Sequence, residues 1–130
     1  MPWQTVGLVS AGGALGALAR YGVNVAVPYQ PGGFAWATFL VNVSGCLLIG
    51  VLAVLSTETW QAPGWVRPFL GVGVLGGYTT FSTYVVDFTS SLTAPITALA
   101  YLFGTLAAAM AAAWGGATLA RVLTREKSRR

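Results

Sequence analysis

A chain of 130 residues that is 55% hydrophobic and only 8% charged is far too poor in charge for a water-soluble domain, where about a quarter of residues are charged. The formal net charge of +4 does not describe a nucleic-acid surface, because five of the seven basic residues (Arg121, Arg125, Lys127, Arg129 and Arg130) fall in the last ten positions. Histidine is absent and Cys46 is the single cysteine, which excludes an internal disulfide and removes the commonest metal ligand and general base.

Charge-free runs recur along the chain, each long enough to cross a hydrocarbon core of about 30 Å as a helix. They predict an all-α membrane protein with four transmembrane helices over residues 4–23, 34–55, 68–86 and 96–119. These form a single transmembrane domain over 1–120, followed by a basic tail over 121–130. No Lys or Arg precedes Arg20, so the first run reads as a retained helix rather than a cleaved signal. Within it, Gly12 and Gly16 form a G-x-x-x-G pair that lets helix backbones approach closely, either as a dimer seam or as packing within the chain. Arg20 ends this span and is the sole basic residue on its side. It either draws anions into a vestibule or snorkels to the headgroups as an anchor. Pro28, Pro31, Gly32 and Gly33 mark the loop that follows.

The second span carries Asn42 near its middle, where lipid exposure of an amide is costly, so Asn42 is expected to face protein or a water-filled cavity. Its NH₂ group supplies two donors, which suits either an anion or an interhelical bond. Ser44 adds a hydroxyl. Cys46, in the same apolar run, reads as a small packed residue. Thr57, Glu58, Gln61, Pro63, Gly64 and Arg67 form the next connection.

The third span is unusual. Gly71, Gly73, Gly76 and Gly77 precede the run Tyr78-Thr79-Thr80-Phe81-Ser82-Thr83-Tyr84. Paired glycines cost about 1 kcal/mol each in a helix relative to alanine, and the β-branched threonines add to that, so a break in the third helix is expected here. Freed carbonyls at membrane depth must meet protein, water or an ion. Phe81 and Tyr84 are three apart and project to one helix face, where ring edges can contact an anion without offering it a full charge. The bland reading is a glycine-rich packing face with the aromatics in the core.

On the alanine-rich fourth span, Tyr101 and Thr105 stand at i,i+4. With an even number of spans both termini share a side, and the side holding Arg67 and the tail outweighs Arg20 alone, which favours cytoplasmic termini. Glu58 and Asp87 are read at span ends, leaving no carboxylate inside a span for a proton relay, so passive conduction fits better than coupled transport. Neither a nucleophile–base pair nor a metal-ligand cluster is visible, and catalysis is not expected.

The stretches G-A-L-A-R-Y at Gly16–Tyr21, V-N at Val41–Asn42 and G-G-Y-T-T-F-S-T-Y at Gly76–Tyr84 resemble the Fluc (CrcB) fluoride channels over nearly the whole chain. The resemblance implies a dual-topology, antiparallel dimer of four-helix subunits in the cell inner (plasma) membrane. It would have two fluoride pores along the interface and one structural sodium ion at the dimer centre. By position, Asn42 resembles the pore asparagine, Phe81 and Tyr84 the two pore aromatics, and Thr80 and Ser82 part of the hydroxyl lining. Tyr101 and Thr105 resemble the polar track of the fourth helix, and Arg20 the arginine at the pore mouth. Gly76 and Thr79 match the positions whose carbonyls hold sodium. Two departures stand out: Tyr84 where the family usually has phenylalanine, and Ala109 where a hydroxyl often extends the track. The implied activity is passive fluoride export that lowers cytoplasmic fluoride toxicity. The partner is a second copy or an oppositely oriented paralogue, with lipid around it and no nucleic acid. The alternative is a small multidrug-resistance type carrier, which would want a carboxylate in the first span.

Overall fold

The structure is a computed structural model and describes residues 2–130. Helix α1 (Trp3–Ala26) is followed by a loop that turns at Gly32, whose φ of 76° is open to glycine and costly for other residues. Helix α2 (Trp36–Val54) runs on into a π-helical turn, Leu55–Thr59, closed by the Trp60 N–H on the Leu55 carbonyl at 2.8 Å. The third span begins as a π-helix, Arg67–Leu75, with Pro68 in its first turn, where the missing N–H is not needed. It continues as the short α3 (Gly76–Tyr78) and, after Thr79–Phe81, as α4 (Ser82–Ser90). Helix α5 (Pro95–Ser128) again starts on proline and ends with Arg125 and Lys127 in its last turn, where cations meet the negative end of the helix dipole.

Four helical stretches are long and apolar enough to cross a membrane. They run past the predicted limits, to Ala26 in the first, Thr59 in the second, Ser90 in the third and Ser128 in the fourth. The apolar runs mark the lipid-embedded part, whereas a helix continues into water for as long as its residues tolerate it. The exception is the start of the second span, where Phe34 lies before the helix and packs its ring on Trp36, with ring centroids 4.5 Å apart.

Glycine decides which helices pair. A Cβ on Gly16 would collide with the Val74 carbonyl, and one on Gly77 with the Gly13 carbonyl, so α1 lies backbone to backbone on Arg67–Tyr78. The G-x-x-x-G pair Gly12 and Gly16 is therefore used within the chain. In the same way Gly50 meets the Ala113 carbonyl and Gly116 the Leu47 carbonyl, joining α2 to α5. Where α4 meets α5 and the start of α2, an aromatic cluster buries Tyr101 completely, with Tyr84, Phe34 and Phe88 packed in the same cluster. Only 11–28% of the most apolar 18-residue stretch of each span is buried, so most of this apolar surface needs lipid or another subunit to cover it.

Candidate functional site

The site is built where α2 faces the end of α3. Thr79 has extended backbone (φ −74°, ψ 156°), and two polar side chains take up the bonds that a continuous helix would have made there. Asn42 donates from Nδ2 to the Thr80 carbonyl at 2.8 Å and accepts the Thr80 N–H on Oδ1 at 2.9 Å. In an unbroken helix that N–H would belong to the Gly76 carbonyl. The Thr80 hydroxyl accepts the Thr83 N–H at 3.2 Å, the donor that would otherwise serve the Thr79 carbonyl. The carbonyls of Gly76 and Thr79 are thus without those helical donors. That of Thr79 receives Arg20 Nη1 at 3.2 Å, while the Thr79 hydroxyl bonds back to the Leu75 carbonyl at 3.0 Å. The bare Cα of Gly45 is what admits the Thr79 side chain against α2.

An open cavity of about 400 Å³ lies against this segment, lined by Asn42, Thr79, Thr80, Phe81, Tyr84 and Thr105, with Gly76, Cys46 and Ala109 also on its wall. The Phe81 ring is 76% exposed and stands 5.9 Å from the Tyr84 ring, both on one face as their spacing predicts. The Thr105 hydroxyl is buried and has no hydrogen-bond partner among the described residues. Such an orphan is costly, and it is the kind of group that marks a ligand position.

Ser82, Tyr101 and Arg20 are not on the cavity wall. The Ser82 hydroxyl stands 3.5 Å from that of Thr80, and Ser44 is turned to the Leu40 carbonyl at 2.6 Å and to the Tyr78 hydroxyl at 3.0 Å. The phenol of Tyr84 donates to the Leu102 carbonyl on α5, which leaves its ring, not its hydroxyl, for the cavity. Tyr101 donates to Asp87 Oδ2 at 3.3 Å, and Thr38 donates to the same oxygen at 2.5 Å.

Asp87, expected at the end of the third span, lies in the last turn of α4 with its carboxylate turned to buried Thr38 and Tyr101. Sequence reading missed Thr38 altogether. The signal was its place one turn before Asn42, together with Tyr84 and Asp87 three apart on one face of α4. Among the described residues no group of three His, Cys, Asp or Glu side chains is placed to hold a metal, and the one ion pair is Arg121–Glu58 at 2.9 Å, exposed at the far end of α2.

The family model described as CrcB-like protein, Camphor Resistance (CrcB), matches residues 7–117. Three relatives are called Fluoride-specific ion channel FluC 2. That of Streptomyces avermitilis is 54% identical over 103 residues, covering 78% of this chain and 65% of the relative. The Nocardia farcinica protein is 51% identical, covering 89% and 84%, and that of Thermobifida fusca 50%, covering 92% and 93%.

Proposed function

Since the chain belongs to the CrcB-like family, we propose that it is one subunit of a fluoride-specific ion channel and that fluoride passes along the cavity beside Asn42, Phe81 and Thr105. It is a channel and not an enzyme: the ion crosses unchanged. The observation that carries the route is the Thr105 hydroxyl, buried without a partner among the described residues on the same wall as the Asn42 amide and the Phe81 ring. Fluoride is small and strongly hydrated, so a path must replace its water with converging donors. Thr105 offers an unused O–H, Asn42 has one N–H left after bonding Thr80, and ring edges of Phe81 and Tyr84 add weak positive contacts. Weak contacts let the ion leave again, as conduction requires. The Thr80 hydroxyl adds to the lining, with Ser82 3.5 Å from it, and Tyr101, oriented by Asp87, supports the wall without forming part of it.

The subunit works as a dimer of oppositely inserted chains in the cell membrane, with a second copy or a paralogue as partner, and the cavity becomes a closed path when the partner covers its open side. The exposed Phe81 ring and the sparse burial of every span support an apolar partner there. The break in the third helix meets its counterpart at the dimer centre. Its residues fit a hard cation such as sodium: the Gly76 and Thr79 carbonyls are oxygens released from helical bonding by Asn42 and Thr80. A bound cation would supply positive charge beside these two carbonyl oxygens, which the Gly76 and Thr79 peptides would hold toward it.

The test is fluoride efflux from liposomes with Phe81→Ile and Thr105→Val. Both are expected to lose flux while remaining folded dimers by size-exclusion chromatography. Wild-type flux in both removes this cavity from the conduction path.

A further inference from the structure

Arg20 lies one turn beyond Gly16 on the face of α1 that is locked against Arg67–Tyr78, so its side chain reaches the end of α3 without any adjustment of the helices. There it donates to the Thr79 carbonyl at 3.2 Å. The guanidinium has no carboxylate partner: the one ion pair among the described residues is Arg121–Glu58, and Asp87 is engaged by Thr38 and Tyr101. A full positive charge is thus held by a neutral oxygen, and that oxygen is one of the two proposed for a cation.

We propose that Arg20 is the internal competitor for the cation at the break, its guanidinium occupying the Thr79 carbonyl until a small monovalent cation takes that oxygen and frees the side chain. The inference rests on the sodium reading above. Two positive charges sharing one carbonyl repel each other, so cation binding and the Arg20 contact oppose one another, and each weakens the other by the same factor. Arg20 is in these terms a positioning residue: it holds the backbone of the break in its extended form, and it sets the cation concentration at which the site fills.

Cation binding is read without any flux measurement, by the thermal unfolding of the purified protein as sodium replaces N-methyl-D-glucamine at constant ionic strength. Arg20→Gln keeps a donor for Thr79 but removes the charge. Its half-effect sodium concentration is expected to fall by about tenfold relative to wild type. A half-effect concentration that is unchanged or higher overturns the inference while leaving the sodium reading standing. Absence of sodium stabilisation in both proteins overturns both. If Arg20→Gln does not fold, the ¹⁵N guanidinium resonance of Arg20 in the wild type decides. It is expected to move on addition of sodium, and a resonance that stays fixed while sodium stabilises the protein overturns the inference.

Discussion

Replacing Asn42 with alanine deletes both hydrogen bonds that hold the Thr80 peptide, the 2.8 Å bond to its carbonyl and the 2.9 Å bond from its N–H. Each contributes about 1 kcal/mol net, and together they favour the extended arrangement by about 2 kcal/mol. That corresponds to roughly thirty-fold in population. Without them the Thr80 N–H has the Gly76 carbonyl as its nearest alternative, so the segment relaxes toward continuous helix and withdraws the carbonyls from the centre. Fluoride efflux from liposomes is expected to fall by about that factor or more, since the free Asn42 N–H is lost to the ion as well. Asn42→Asp separates the two contributions: a carboxylate still accepts the Thr80 N–H but faces the Thr80 carbonyl without a donor. Its flux is expected to fall too, with a larger loss of stability than in Asn42→Ala. Flux within about threefold of wild type in Asn42→Ala would show instead that the clamp contributes less than about 1 kcal/mol and does not hold the route open.

Other outcomes follow from the same contacts. Thr105→Val removes an unpartnered buried hydroxyl and replaces it with a group of the same shape, so thermal stability is expected to hold or rise by about 1 kcal/mol while fluoride flux falls. Tyr84→Phe loses the bond to the Leu102 carbonyl but keeps the ring, so unfolding is expected about 1 kcal/mol more readily with fluoride flux retained. Gly16→Ala drives a methyl into the Val74 carbonyl and is expected to cost about 1–3 kcal/mol, measured as a lower melting temperature in detergent. Glu58→Gln breaks an exposed pair and is expected to leave the melting temperature nearly unchanged.

The four spans were legible because an apolar run long enough to cross a bilayer has few other uses, and their order needs no tertiary information. Their ends were not, since Glu58, Arg121 and the residues Thr124 to Ser128 are polar yet helical, and polarity marks the edge of lipid rather than the edge of a helix. Gly12 and Gly16 announced a close approach but not its partner. Only the matching glycines at Gly73 and Gly77 identify the third span. Within the site, Asn42, Phe81, Tyr84, Thr80 and Thr105 were legible as polar or aromatic groups in apolar surroundings, and they share one cavity. What each is bonded to was not. The Arg20–Thr79 contact joins residues 59 apart in sequence, and Thr38 reaches Asp87 across 49, separations for which local pattern carries no signal.

Whether this chain lets fluoride through the membrane and rejects larger halides is read most directly by ion-selective electrode recording of halide release from liposomes containing the purified protein. Fluoride is expected to empty from the vesicles while chloride, measured in parallel under the same gradient, stays inside. Retention of fluoride, or release of both ions at similar rates, would contradict a fluoride-selective channel.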